Sequence, residues 1–134
     1  MIQKTVLLLL LTMSLKASNV VIDSETGMMW QDTPNSVKKD YSGAKAYCRE
    51  LSLGGHSDWK LPNIDELMSI SDKNRVVEPA IKVIFKNTKN SYYWSSSEYV
   101  NDSSQAWLVY FSYGADNYNL KSGKTSVRCV RVGQ

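Results

Sequence analysis

The chain has 134 residues, 22% of them charged, and a formal net charge of +3 at pH 7. This length fits one domain with a core of its own. So small a positive charge argues against bulk attraction to nucleic acid, and we expect no nucleic-acid partner. Composition therefore leaves a small globular protein whose function must be sought in its motifs.

The N-terminal segment has the pattern of a secretory signal peptide. Lys4 is followed by an apolar run from Val6 to Leu15, and the small residue Ala17 offers a cleavage point. The run is shorter than the roughly 20 residues that span a bilayer, so we expect no transmembrane segment after cleavage; a retained anchor is the alternative. We predict a signal peptide over residues 1–17, a single domain over residues 18–134, and a secreted or periplasmic location. Cleavage would remove two lysines and no acid, leaving a net charge of +1.

The two cysteines, Cys48 and Cys129, are 81 residues apart. In an exported chain an even pair predicts a disulfide. Closing a loop of this length would stabilise the fold by roughly 4 to 5 kcal/mol. The bond would join an early helix to the last strand. Two free buried thiols are the alternative.

The first third of the chain predicts a hairpin and a helix. Val20–Ile22 and Met28–Gln31 are short apolar strands on either side of a turn at Asp23–Gly27. Asp40 caps a helix over Tyr41–Leu51, in which small and apolar residues recur at helical spacing on one face. This spacing places the helix cysteine on the buried face.

A turn and a second helix follow. Gly54 and Gly55 end the first helix. Asn63 and Glu66 are spaced as a capping box, in which each side chain accepts a hydrogen bond from the other residue's backbone N–H. This box predicts a helix over Ile64–Asp72.

The second half of the chain predicts mainly strands. Residues 73–91 lack clear periodicity, with short extended pieces at Val76–Val77 and Ala80–Ile81. The segment Ala106–Tyr113 has an alternating pattern, which predicts that Trp107, Val109, Phe111 and Tyr113 share one face of a strand. A strand, a loop, a strand, a polar turn and a closing strand are predicted at Tyr92–Ser96, Asn101–Ser104, Ala106–Tyr113, Asp116–Gly123 and Thr125–Val132. A hairpin, two helices and then strands make an α+β domain.

Several motifs, in order along the chain, resemble the Lcl C-terminal domain family, bacterial domains named after a collagen-like adhesin. The family's opening Asp-x-x-Thr-Gly-Leu-Met-Trp-Gln appears as Asp23 to Gln31, with Met28 in place of the usual Leu. Its Tyr-Cys helix appears as Tyr47 and Cys48, and its Trp-Ser-Ser-Ser as Trp94 to Ser97. The other matching positions are Leu53, Gly54, Gly55, Asp58, Trp59, Leu61, Pro62, Glu66, Leu67, Ala106, Trp107, Val109, Phe111 and Val127 to Arg131, and Lys60 replaces the family's usual Arg.

This resemblance implies a C-type-lectin-like fold, with two helices packed on short antiparallel sheets and a disulfide from the helix to the last strand. The calcium site of true C-type lectins uses Glu-Pro-Asn and Trp-Asn-Asp segments. Here the segments are Glu78-Pro79-Ala80 and Trp94-Ser95-Ser96, so we expect no metal site and no cofactor. The sequence contains no collagen-like repeats, which weakens transfer of the namesake's trimeric adhesin role.

The tryptophans are predicted to be core residues, because large aromatic side chains dominate small cores; a sugar-stacking platform is the alternative. Asp58 is expected to fix the turn before Trp59, and the hydroxyls of Ser95–Ser97 to satisfy buried backbone groups. The residues assigned a structural role are Trp30, Gly54, Gly55, Asp58, Trp59, Leu61, Pro62, Glu66, Trp94 and Trp107.

Tyrosine, asparagine and lysine side chains are concentrated in the late loops, where they could stack on and hydrogen-bond a glycan or a peptide. Half-buried tyrosines at a rim are the alternative. The cations among residues 73–89 and 121–131 would attract a sulfated or carboxylated polysaccharide if each group converged in space; solvated surface charge is the alternative. The candidate ligand residues are Tyr99, Tyr110, Tyr113, Asp116, Asn117, Tyr118, Asn119, Lys121 and Lys124.

No catalytic residue is assigned. The sole histidine, His56, lies in a glycine-rich turn, and no Gly-x-Ser-x-Gly sequence is present. We therefore expect a secreted, non-catalytic binding module whose ligand is an anionic glycan or surface polysaccharide. The alternatives are a protein-binding envelope or pilus-associated subunit, and an enzyme of the formylglycine-generating, sulfatase-activating type, which relies on additional cysteines.

Overall fold

The computed structural model describes residues 19–75 and 77–133. The predicted signal peptide over residues 1–17 lies outside these ranges, as does Val76 of the first predicted extended piece. Within the described ranges no helix is long and apolar enough to cross a membrane.

The described chain begins with the predicted hairpin. β1 (Val20–Ile22) and β2 (Met29–Gln31) pair antiparallel, and β8 (Val130–Arg131) pairs with the other side of β2 to complete a three-stranded sheet. The Asp23 carboxylate accepts a hydrogen bond from the Thr26 hydroxyl at 3.1 Å. The hairpin turn is therefore held by its own residues.

Both predicted helices are present and begin at the predicted caps. α1 (Tyr41–Glu50) starts where the Asp40 side chain accepts a backbone hydrogen bond at 2.8 Å. α2 (Ile64–Ser69) starts with a complete capping box between Asn63 and Glu66, with distances of 2.8 and 2.9 Å. These interactions span three residues, which is why the sequence alone identifies them.

The second helix is shorter than predicted, because it ends at Ser69 and not near Asp72. The backbone beyond the helix pairs with a later segment. The Asp72 N–H donates to the Ala80 carbonyl and the Lys82 N–H donates to the Ile70 carbonyl, both at 2.9 Å. An isolated bridge joins the same two segments, so this long-range pairing replaces the last helical turn.

A five-stranded sheet forms the other half of the described fold. In spatial order its strands are β3 (Lys38–Lys39), β7 (Thr125–Ser126), β4 (Tyr92–Glu98), β5 (Gln105–Tyr110) and β6 (Ala115–Leu120). β7 runs parallel to β4, whereas the other neighbouring strands are antiparallel. The sheet is therefore mixed, and the expectation of antiparallel sheets is wrong for this pair.

Two predictions near the C-terminus are wrong. Most of the polar turn predicted over Asp116–Gly123 is strand β6, which pairs with β5 through six consecutive residue pairs. An exposed edge strand needs no apolar face, so its polar composition resembled a turn. The closing strand predicted over Thr125–Val132 is split into β7 and β8, which belong to different sheets. Between them the Cys129 N–H donates to the Gln31 side-chain oxygen at 3.0 Å.

The hydrophobic core has two clusters, one on each face of β4 and β5. Adjacent residues of β4 alternate between them: Trp94 belongs to the cluster beside α1, and Tyr93 to the cluster beside α2. Cys48 and Cys129 form a disulfide inside the first cluster, with their Cα atoms 5.5 Å apart. The disulfide prediction is confirmed, and Cys129 immediately precedes the last strand.

The face predicted for the segment Ala106–Tyr113 is only partly buried. Val109 and Phe111 are fully buried in the cluster beside α2. Trp107 is half-buried, and Tyr113 lies beyond the end of β5 with 70% of its surface exposed. Burial is therefore confined to the middle of the predicted face and is lost at both of its ends.

Candidate functional site

Trp30, Trp59 and Trp94 are buried, as core residues should be. The Trp94 indole N–H donates to the Lys39 carbonyl at 2.9 Å, and the Trp59 indole N–H donates to the Leu53 carbonyl at 3.2 Å. Gly54 and Gly55 adopt the positive φ angles of the turn, Leu61 and Pro62 are buried, and Glu66 completes the helix cap. These residues therefore have structural roles.

Asp58 lies in the turn before Trp59, where it is expected to fix the turn, and its partner is distant in sequence. Its carboxylate forms a bidentate pair with Arg131, with Nε–Oδ1 at 2.6 Å and Nη2–Oδ2 at 3.1 Å. The hydrogen bond from this guanidinium lowers the pKa of the Asp58 carboxyl. The pair ties the turn before Trp59 to β8, across a sequence distance that no local pattern indicates.

Arg128 and Asp32 form a second ion pair that sequence reasoning missed, and both side chains are buried. The Arg128 Nη1 atom lies 3.2 Å from Asp32 Oδ1. The same carboxylate accepts the backbone N–H groups of Lys86 and Asn87 at 2.9 and 3.0 Å. The pair therefore anchors the segment before β4 to β2, and its role is structural.

The register of β5 and β6 divides the candidate ligand residues between two surfaces. Tyr118 lies opposite Trp107, and Asn117 lies opposite Leu108. Since successive strand residues point to opposite faces, Asp116 and Tyr118 share one face, whereas Asn117 and Asn119 share the other. The late-loop residues therefore do not form a single binding surface.

Tyr99, Trp107 and Tyr118 form one of these surfaces, which we call the aromatic trio. The rings of Tyr99 and Tyr118 are stacked with centroids 4.0 Å apart, and both meet the Trp107 ring edge-on at 5.5 Å. A hydrogen bond with Tyr99 raises the pKa of the Tyr118 hydroxyl. The core role predicted for Trp107 is wrong, because its indole instead supports two surface tyrosines.

The second surface is an open cleft of about 320 Å³ at the far end of the five-stranded sheet. Tyr92 and Tyr110 lie opposite each other on β4 and β5, and their rings stack with centroids 4.6 Å apart. The exposed Tyr113 ring packs edge-on against Tyr110 at 5.4 Å. We call this site the Tyr–Lys cleft; it is lined by Lys38, Asn90, Ser91, Tyr92, Tyr110, Lys124 and Thr125.

Only Tyr110 and Lys124 of the candidate ligand residues line this cleft, with Tyr113 at its border. The pairing of β3 with β7 brings Lys38 to the site, and the register of β4 with β5 brings Tyr92. Both depend on strand order and register, for which the sequence carries no signal. The cleft therefore includes two side chains, Lys38 and Tyr92, that the candidate set lacks, whereas the candidate residues on β6 lie outside its lining.

The basic residues near the C-terminus do not converge. Arg128 and Arg131 are buried in ion pairs, and Lys121 lies 3.4 Å from Glu98 and over the Tyr41 ring. Of this group only Lys124 faces the cleft. The condition set for a C-terminal basic surface, that these cations converge in space, is therefore not met.

Two of the cations among residues 73–89, Lys82 and Arg75, also interact with other groups of the protein. Lys82 lies 2.9 Å from Asp23 and 3.2 Å from Glu25, and these hydrogen-bonded carboxylates raise its pKa against the opposing effect of burial. The Arg75 guanidinium donates to the Ile81 carbonyl at 3.0 Å. By contrast, no carboxylate of the described residues forms an ion pair with Lys38 or Lys124. The Tyr–Lys cleft therefore holds two ammonium groups available to an anion.

His56 is part of the glycine-rich turn, where its backbone pairs with that of Leu53. Across residues 19–75 and 77–133, no group of three or more histidine, cysteine, aspartate or glutamate side chains is arranged to hold a metal ion. The two described surfaces offer aromatic rings, hydroxyls and ammonium groups. These are groups that bind a ligand by stacking and charge.

Fold and site together define a small α+β domain, closed by one disulfide, with a surface cleft. The sequence model of the Lcl C-terminal domain family matches residues 19–131, and the chain belongs to this family. No curated protein matches the sequence.

Proposed function

We propose that the protein is a secreted, non-catalytic binding module with a C-type-lectin-like frame, and that it binds an anionic glycan in the Tyr–Lys cleft. One observation carries this proposal: the stacked pair of Tyr92 and Tyr110 shares a cleft with Lys38 and Lys124.

The chemistry of the cleft suits a sulfated or carboxylated sugar. A pyranose ring presents C–H groups to an aromatic face, and tyrosine adds an amphipathic edge. A lysine ammonium is a compact charge with three donors, which suits a sulfate or carboxylate group. Thr125 also lines the cleft, and its buried hydroxyl oxygen has no hydrogen-bond partner among the described residues. The volume falls within the range of small-ligand sites.

The proposed location and frame have separate support. A disulfide persists in oxidising compartments, and the N-terminal apolar run after Lys4 has the pattern of an export signal. The bond from α1 to the residue before the last strand has the connection that the resemblance to C-type lectins implies.

Calorimetric titration with a heparin-derived hexasaccharide would test the proposal. We expect the double variant Lys38→Gln/Lys124→Gln to bind about two- to thirtyfold more weakly, because each exposed charge contact contributes up to about 1 kcal/mol. Lys60→Gln is the matched control, since it removes an exposed lysine that pairs with Glu66 on another part of the surface. Unchanged affinity in the double variant, with a native circular dichroism spectrum, would exclude the cleft as the site.

A protein-binding envelope or pilus-associated subunit is the second candidate function. The aromatic trio favours it, because exposed tyrosine and tryptophan are enriched at protein interfaces. A pull-down from the native envelope with wild type and a Tyr99→Ser/Tyr118→Ser variant would separate the two functions. Loss of a captured protein in this variant, with hexasaccharide binding absent from the wild type, would favour the second candidate.

A further inference from the structure

Strand β6 is an edge strand that lacks the usual features that block pairing with another chain. It pairs with β5 on one side only, and all six of its residues are exposed. Edge strands are templates for pairing with another chain, and proteins block them with lysine, proline or bulges. Ala115–Leu120 contains no lysine or proline, its only charged side chain is Asp116, and its pairing with β5 is regular throughout.

The direction of the backbone groups on β6 follows from its register. The Lys121 N–H donates to the carbonyl of the residue before β5 at 2.9 Å. Hydrogen-bonded pairs in an antiparallel ladder recur at every second residue, so Asn119 and Asn117 also exchange hydrogen bonds with β5. The N–H groups of Asp116, Tyr118 and Leu120 therefore point away from the sheet, toward the open edge.

Two of these three outward N–H groups, those of Tyr118 and Leu120, are already satisfied within the strand. The Tyr118 N–H donates to the Asn117 side-chain oxygen, and the Leu120 N–H donates to the Asn119 side-chain oxygen, each at 2.8 Å. The two amide oxygens thus take the role that the carbonyls of an added strand would have. The same short side chain is repeated at the two positions that can cap these two donors.

We propose that Asn117 and Asn119 are guard residues that keep β6 from pairing with a second copy of this chain. An antiparallel pair of two β6 strands would be self-complementary, as the interface of a two-fold dimer must be. Its formation would require displacement of both side-chain caps. This role is independent of what the Tyr–Lys cleft binds, because the guards lie on a different strand from any residue lining the cleft.

The test is the double variant Asn117→Gln/Asn119→Gln, which keeps the amide groups but places each oxygen one methylene further from the backbone. Sedimentation velocity over a concentration series would measure self-association. We expect the variant to dimerise at concentrations at which the wild type is monomeric. Asn101→Gln is the matched control, since it makes the same change in an exposed loop outside β6, and we expect it to remain monomeric.

Amide hydrogen exchange in dilute solution gives a second readout. We expect the Tyr118 and Leu120 amides to exchange about two- to tenfold faster in the double variant, as loss of one hydrogen bond each implies. The amides of residues 117 and 119, which point toward β5, are internal controls. A monomeric variant at every concentration, a wild type that associates equally, or unchanged exchange at both positions would overturn the proposal.

Discussion

Arg128 and Asp32 are two oppositely charged residues that are buried in the protein interior. Their side chains are 3% and 1% exposed and 3.2 Å apart. The guanidinium also donates to the Asn87 carbonyl and to the Thr88 hydroxyl. A buried pair of this kind contributes little net stability relative to apolar residues, but each charge depends on the other.

Asp32→Ala should therefore destabilise the protein strongly. The substitution leaves a buried guanidinium without its counter-charge, and we expect a loss of about 3 to 5 kcal/mol in the free energy of unfolding. Urea denaturation followed by tryptophan fluorescence measures it. Asp65→Ala, at an exposed position of α2, should change the same quantity by less than about 1 kcal/mol. Equal losses in the two variants would show that the buried pair has no special role.

Asp58 gives a prediction for pH. Its pKa is lowered from the ordinary carboxyl value of 3.8 by the hydrogen bond from Arg131. A carboxyl group with a depressed folded-state pKa stabilises the fold fully above its unfolded-state pKa, and this contribution is lost as the pH falls through the folded-state pKa. Asp58→Asn should therefore lose less stability than the wild type between about pH 5 and about pH 2.5. Urea midpoints at the two pH values measure this; an equal fall in both proteins would contradict the assigned pair.

At the scale of elements, local interactions were predictable and non-local ones were not. The caps at Asp40 and Asn63 act over three residues, so the sequence reveals them. The early end of α2, the strand identity of Ala115–Leu120 and the split of Thr125–Val132 depend on pairing with distant segments. No local propensity contains that information, since partner strands determine whether a polar segment becomes a turn or an edge strand.

The capping box of α2 should be important for its stability, because the helix has only six residues. Asn63→Ala removes the acceptor for the Glu66 N–H, and we expect a loss of about 0.5 to 2 kcal/mol. Asn63→Asp keeps a capping oxygen and is the control. Thermal unfolding at one pH compares the two variants, and an unaffected Asn63→Ala protein would contradict the importance given to the cap.

For the whole molecule, the organising features are the central strands β4 and β5, with one core cluster on each face, and one disulfide inside the first cluster. The pairing of the cysteines and the α+β class were predictable, because the cysteine count and the order of the predicted helices and strands indicate them. The Tyr–Lys cleft, which is the proposed binding surface, was not predictable. Tyr92 and Tyr110 are distant in sequence and meet through register alone, and Lys38 reaches them through the pairing of β3 with β7.

The disulfide closes a loop with a sequence separation of 81 residues. Its removal should destabilise the fold by about 2 to 5 kcal/mol. The double variant Cys48→Ala/Cys129→Ala, compared with the oxidised wild type by urea denaturation, measures this loss. The wild type under reducing conditions is the control and should approach the double variant. A variant as stable as the oxidised protein would show that the core holds without the cross-link.

The central claim, that the Tyr–Lys cleft binds an anionic glycan, is tested most directly by a ¹H–¹⁵N NMR titration with a heparin-derived hexasaccharide. We predict saturable shifts in the backbone signals of Tyr92, Tyr110 and Lys124 that weaken as the salt concentration rises. The signals of Tyr99 and Tyr118 should stay unchanged, because the trio lies away from the cleft lining. Shifts confined to the aromatic trio, or no shifts at millimolar hexasaccharide, would contradict the claim.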